Sequence, residues 1–224
     1  MRVMMVTKFV PLPANTGGKR RSLAIVERYL ARGDELVLVA HDDGSADLAE
    51  LERRGVQVVT TRWRGGFSRS LRAILHAHSA ILGRFYTPEL HRKARAIARR
   101  EPFDVLQIEY IHNCVYGDVA PALRVLDLHD VASDQARKIG ALKRPPLRWL
   151  YQLEGVALAW RERNALTDYD VVTCVSQHDA DQLGPQVLVA PNGWEAHPPL
   201  ALPSGEHVLF VANFAFSTNV DAAQ

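Results

Sequence analysis

Arg2-Val3-Met4-Met5-Val6-Thr7-Lys8-Phe9-Val10, followed by Pro11-Leu12-Pro13-Ala14-Asn15-Thr16-Gly17-Gly18, decides the fold class. The first run is nearly continuous in apolar residues, which suits a parallel strand covered on both faces. The second is a loop rich in Pro and Gly. Beyond it Leu23, Val26 and Leu30 recur at helical spacing until Gly33. The unit then repeats. Runs at residues 35–40, 56–60, 104–109, 124–128, 170–175 and 187–190 read as strands two to seven. Helical stretches separate them at 46–54, 68–83, 88–100, 131–139, 147–166 and after Ser176, an N-cap residue type. This alternation predicts an α/β, doubly wound, mainly parallel seven-stranded Rossmann-like sheet.

Residues 1–193 therefore read as one domain. Residues 194–206 are rich in Pro and lack periodicity, so they read as a linker. An eighth strand-like run, His207-Val208-Leu209-Phe210-Val211-Ala212-Asn213, opens a new unit. Residues 207–224 are expected to be the first strand and loop of a truncated second domain. On that expectation the chain carries half of an active site.

The chain has 224 residues, 47% of them apolar, enough for a substantial core. It contains no apolar stretch of about 18 residues, and Met1 leads into a strand pattern rather than a secretory leader. Cys114 and Cys174 lie far apart and are expected to be free thiols in a reducing cytoplasm. The net charge of +2 hides an asymmetry. Residues 62–100, which open on Arg62 and close on Arg100, hold ten Lys or Arg against Glu89 alone, a local +9. The remainder carries −7. Such a field attracts phosphate, nucleic acid or an anionic membrane, or is a solvated helix face. A nucleic-acid reading lacks aromatic interleaving and a recognised module.

In a doubly wound sheet, ligands bind beyond the carboxyl ends of the strands. The first such loop lacks Gly-x-Gly-x-x-Gly, and Gly18-Lys19 is followed by Arg20 rather than Ser or Thr. Dinucleotide and Walker-type sites are therefore not expected. What remains is Gly17-Gly18 before a helix, either a place where a ligand approaches the backbone and the helix N-terminus or simply a tight turn. His129-Asp130 follows strand five. An imidazole there orients a hydroxyl or shuttles a proton, or is a capping or core histidine. No third ligand shares its spacing, so no metal site is expected. Glu109-Tyr110, with His112 and Asn113, either lines a pocket or satisfies loop backbone. Asn192-Gly193 is first a turn signal. Asp168 and Asp170 read as helix-end and turn residues. His76 and His78 read as solvated, and Trp149 and Trp160 as packed along the long helix. Nucleophile elbows and Cys-x-x-Cys pairs are absent.

Together these strings resemble a family. Strand one with Pro11-Leu12-Pro13-x-x-x-Gly17-Gly18-x-x-Arg21-Ser22 resembles the opening of family-4-type retaining glycosyltransferases of the GT-B fold. So do Val125-Leu126-Asp127-Leu128-His129-Asp130, Val172-Thr173-Cys174-Val175-Ser176 and Val189-Ala190-Pro191-Asn192-Gly193, in that order. Phe210-Val211-Ala212-Asn213 and Asn219-Val220-Asp221-Ala222 resemble the start of that family's second domain.

The resemblance implies two Rossmann-like domains facing a cleft, with the acceptor mostly on this side and the nucleotide-sugar donor mostly on the other. It implies His129 as the catalytic-site residue near the reacting carbon. Gly17, Gly18, Arg21, Glu109, Tyr110, Asp130, Ser176, Asn192 and Gly193 are expected to bind donor or acceptor. It implies no metal and no cofactor beyond the nucleotide sugar as substrate. The expected activity is retaining transfer of a sugar to a hydroxyl on a sugar, a lipid-linked molecule or a small molecule, by the full-length protein and not by this piece alone. Some members carry a Lys shortly after the strand-five His, where this chain has Asp134 and Gln135. The expected location is cytoplasmic, peripheral to the inner membrane face through residues 62–100, with no nucleic-acid partner. The alternative is a non-catalytic binding or scaffold domain of GT-B type.

Overall fold

The computed structural model describes residues 1–63, 78–193, 209–212, 220, 222 and 223. The chain divides into a unit Met1–Asn192 and a unit Gly193–Gln224.

The first unit is built on strands β1 (Arg2–Phe9), β2 (Glu35–Asp42), β3 (Gln57–Arg62), β4 (Val105–Glu109), β5 (Leu123–Leu128), β6 (Val171–Cys174) and β7 (Leu188–Val189). All pair in parallel, in the order β3-β2-β1-β4-β5-β6-β7. The described helices are α1 (Gly17–Ala31), α2 (Leu48–Arg53), α3 (Ala80–Gly83), α4 (Pro88–Ala98), α5 (Ala132–Ala141), α6 (Leu147–Asp168) and α7 (Gln177–Leu183). The sheet is thus the predicted doubly wound one, and parallel throughout.

The near-continuous apolar strands follow from burial on both faces. Val3 and Met5, with Leu36, Leu38 and Ala40, pack under Val26 of α1 and Leu51 of α2. Met4 and Val6, with Leu106, Ile108, Leu126 and Leu128, face α4, α5 and α6 through residues such as Leu90, Ala136 and Leu158. Successive side chains point to opposite faces, so each strand needs apolar residues at both parities. The strand order reverses between β1 and β4, which opens a crevice at their carboxyl ends.

Helices α5 and α6 form a close hairpin. A Cβ on Gly140 would lie 2.7 Å from Tyr151 Cβ, and one on Gly155 would lie 3.0 Å from Arg137 Cγ. Glycine at both points lets the two backbones approach.

Several expectations are corrected. Trp149 and Trp160 do not pack inward: they are 60% and 42% exposed, and Gly155, Leu158, Glu162 and Ala165 take the inner face of α6. The expected helix at 46–54 starts only at Leu48, because the Asp47 side chain caps it by accepting from the Glu50 N–H at 3.0 Å. A 3₁₀ turn, Ile111–Tyr116, follows β4 where no element was expected. Strand β7 shrinks to two residues. Residues 209–212 belong to no strand, and an extended run gains a ladder only with a partner.

Other expectations fall elsewhere. His76, residues 68–77 of an expected helix, the linker at 194–206 and residues 207, 208 and 213 lie outside the described residues. His78 is exposed, edge-on to Trp160 at 5.5 Å. Asp168 ends α6, and Asp170 accepts from the Arg124 N–H at 2.8 Å, tying the start of β6 to β5 rather than closing a turn. Cys114 and Cys174 are free, and burial pushes the Cys114 thiol up to about 11.

Candidate functional site

The crevice is lined where β1, β4 and β5 end and α1 begins. Thr16 caps α1, its side chain accepting from the Lys19 N–H at 3.3 Å. Gly17 and Gly18 form the first turn. Beside Gly17 there is open space. A Cβ on Gly18 would lie 1.6 Å from the Tyr110 hydroxyl and 3.7 Å from His129 Nδ1. A side chain at 18 would therefore have to displace the Tyr110 ring, which fills the room that the glycine leaves.

Tyr110 stands directly after β4 with φ 66° and ψ 143°, a region that non-glycine residues avoid. Its surroundings hold it there. Its N–H donates to the Asp127 carbonyl at 2.8 Å, its carbonyl accepts from the Asn113 N–H at 3.0 Å, and its ring stacks on His129 with centroids 3.7 Å apart. The Asn113 side chain ties the turn down by donating to the Glu109 carbonyl at 2.7 Å.

Beneath the stack lies a buried ionic network. Glu109 and Asp127 face each other across the β4–β5 register, with side chains 0% and 2% exposed. His129 Nε2 lies 2.8 Å from Glu109 Oε2 and 3.4 Å from Asp127 Oδ2. Arg21 reaches from α1 and forks onto Asp127, Nε to Oδ2 at 2.6 Å and Nη2 to Oδ1 at 2.7 Å. Its Nη1 donates to Asn192 Oδ1 at 3.0 Å. Thr173 donates to Asp127 at 2.5 Å, and Gln107 to Glu109 at 2.7 Å.

The titration behaviour follows from these contacts. Burial disfavours the Asp127 carboxylate, but hydrogen bonds from Arg21, His129 and Thr173 outweigh it and hold Asp127 well below the usual carboxylate range. Burial likewise opposes charge on His129, yet Asp127 and Glu109 overcome it and raise its pKa. Glu109 is raised, chiefly by burial. Both ends of the His129–Glu109 pair are thus raised, beside a fixed Arg21–Asp127 pair. Burial pulls His112 down to about 3, so it stays neutral.

Of the remaining expected residues, Asp130 and Ser176 follow β5 and β6 at the same edge. Asp130 is raised, first by burial, with Lys8 and His129 acting against the shift. Ser176 caps α7, accepting from the Asp179 N–H at 3.2 Å and donating to its carboxylate at 2.6 Å. Gly193 is exposed, in the second unit. Arg21, Glu109, Tyr110, His129 and Asn192 thus join in one network against Gly18, while Gly17, Ser176 and Gly193 stay outside it.

Sequence reasoning missed Asp127, Gln107, Thr173 and Lys8 as members of the site. Lys8 lies 4.5 Å from the Phe85 ring centroid and 5.8 Å from that of Tyr110, and burial lowers its pKa. The available signal was a charged or amide residue inside an otherwise apolar strand, which needs a buried partner.

Ligand atoms of Glu109, Asp127 and His129 lie within 4.8 Å of one another, the spacing of a metal site. Their lone pairs are engaged by Arg21, Thr173, Gln107 and each other. A cation there would face the Arg21 guanidinium, so the donor set does not fit a metal.

Residues 16–199 match the family described as glycosyl transferase 4-like domain. The chain belongs to that family. As a glycosyl transferase 4-like domain it corresponds to the N-terminal domain of a family-4-type glycosyltransferase, with the Rossmann-like sheet of a GT-B half. No curated protein matches it in sequence. Among solved structures it is similar to the Candida albicans trehalose-6-phosphate phosphatase N-terminal domain, at 15% identity and TM-score 0.39, over 81% of this chain and 42% of that one. It is also similar to a putative short-chain alcohol dehydrogenase from Burkholderia multivorans, at 13% identity and TM-score 0.36, over 81% and 85% of the two chains. The glycosyl transferase 4-like domain therefore spans less than half the length of the first of these. No helix among its described residues is long and apolar enough to cross a membrane.

Proposed function

We propose that this domain forms the acceptor-side wall of a retaining glycosyltransferase. The donor is a nucleotide sugar, consumed as substrate, and no separate cofactor takes part. The acceptor is a hydroxyl of a sugar, a lipid-linked molecule or a small molecule. The observation that carries the reading is the orientation of His129. Its Nε2 is held by Glu109 and Asp127, while Nδ1 lies toward Gly18 at the start of α1.

The chemistry follows from that orientation. Departure of the nucleotide builds negative charge on a diphosphate. The α1 N-terminus offers backbone N–H groups and a positive dipole end to such charge. Protonated His129 donates from Nδ1 to a sugar or acceptor oxygen, and the carboxylates behind it keep it protonated and aligned. With no nucleophile identified in the sequence, retention is assigned to same-face displacement, acceptor and leaving group held together, with positioning as the main catalytic contribution. Tyr110 occupies the space over Gly18, so donor binding at that turn requires its ring to move.

The test joins this chain to its second domain and measures sugar transfer from a panel of nucleotide sugars. The expected result is transfer with retained anomeric configuration, lost in His129→Ala while folding persists. This chain alone is expected to turn over nothing detectable. Transfer unchanged by His129→Ala would favour a scaffold role for the domain.

A further inference from the structure

Helix α6 has two opposed apolar faces. Gly155, Leu158 and Ala165 face the core, whereas Trp149, Leu153, Val156 and Trp160 are 60%, 67%, 67% and 42% exposed. Spacings of four, three and four residues put these side chains in one stripe, about 16 Å long at the helical rise. Leu142 in the α5–α6 turn, and Leu147 and Leu150 in the first turn of α6, are also exposed beside the stripe. Lys143, Arg144 and Arg148 stand among them, and residues 141–153 contain no acid.

The charge around the stripe is one-sided. Residues 137–163 hold seven Lys or Arg and two acids, Glu154 and Glu162. Both acids turn inward. Glu154 accepts from the Ser79 hydroxyl and the N–H groups of Ala80 and Ile81 at 2.6–3.2 Å. Glu162, itself buried, accepts from the Ser133 N–H at 3.1 Å. The outward surface therefore combines Trp and Leu with cations alone.

We propose that the α5–α6 hairpin docks this face on an anionic lipid bilayer, with Trp149 and Trp160 seated at the headgroup level and Lys143, Arg144 and Arg148 on the lipid phosphates. Apolar area plus electrostatic attraction is what holds an amphipathic helix in the interface, and Trp favours that depth. A second copy of the chain fits less well, since pairing along the stripe would bring together two surfaces whose outward charges are all cations. A soluble anion would leave the stripe uncovered. This surface differs from residues 62–100, and the inference is independent of sugar transfer because docking needs no substrate.

The test is cosedimentation of the full chain with vesicles of phosphatidylcholine alone and of phosphatidylcholine mixed with phosphatidylglycerol. Binding to the mixed vesicles, weakened by salt, is expected. Lys143→Glu, Arg144→Glu and Arg148→Glu together are expected to weaken it at least about a hundredfold. Leu153→Ser with Val156→Ser is expected to weaken it by about tenfold or more with unchanged circular dichroism, since both side chains are exposed. Absence of binding to the mixed vesicles would overturn the proposal. So would binding that neither variant changes, which would move the contact to another surface such as residues 62–100. A concentration-dependent dimer abolished by Leu153→Ser and Val156→Ser, without vesicle binding, would assign the stripe to a second copy instead.

Discussion

The Tyr110 hydroxyl sits where a side chain on Gly18 would begin, 1.6 Å from an ideal Cβ. The start of α1 and the end of β4 meet at this side chain, whose ring also stacks on His129. Gly18→Ala must displace the Tyr110 ring. We expect a loss of about 1–3 kcal/mol in urea unfolding, from overpacking, with partial recovery on adding Tyr110→Phe. An unchanged midpoint for Gly18→Ala would show that Tyr110 does not need this space.

Tyr110 also tests its own backbone. Tyr110→Ala and Tyr110→Gly both lose the stack on His129, but only alanine keeps the steric conflict at φ 66°. The glycine variant is expected to be the more stable of the two by about 1–3 kcal/mol. Equal stabilities would mean that the turn relaxes once the ring is gone.

Arg21 and Asp127 form a forked pair between elements 106 residues apart. Removing one partner strands a buried charge. Asp127→Leu and Arg21→Met are each expected to cost about 3–5 kcal/mol, and the two together less than the sum of the singles. Additive losses in a double-mutant cycle would show that the pair is not coupled.

The pKa of His129 is raised in the fold relative to an ordinary value of about 6.5. Its stabilising contribution is therefore fully present below about pH 6.5 and is lost as pH rises through the folded value. Asp127, held low, works in the opposite sense: its contribution is present above about pH 3.9 and is lost as pH falls through the folded value. An NMR titration of the His129 ring is expected to report a pKa above 6.5, and Asp127→Asn is expected to lower it. A value at or below 6.5 in the unaltered chain would show that burial outweighs the carboxylates.

Much of the sheet was legible because buried parallel strands leave long apolar runs, and β1, β2, β4 and β5 announce themselves that way. Strand β7, with both residues exposed, leaves little signal beyond Val187, and its ends shifted accordingly. Trp149 and Trp160 were misread because helical spacing shows that apolar residues share a face without showing which face meets the core. Gly155, a weak mark in the sequence, decided that by letting α5 approach. His129 and the glycine pair stood out by position after a strand and before a helix. Asp127 did not, since its meaning depends on an arginine more than a hundred residues away. The seat of Tyr110 over Gly18 depends on a single left-handed backbone angle, which no local pattern encodes.

The account rests on His129 acting as a donor from Nδ1 within an active site completed by a second domain. The most direct measurement is the rate of sugar transfer by this chain joined to that domain, compared with its His129→Ala and His129→Gln forms. The account predicts clear transfer by the unaltered protein and a loss of about 10²–10⁴-fold in both variants, with unfolding midpoints showing that they remain folded. Transfer at the same rate in folded His129→Ala protein would contradict it.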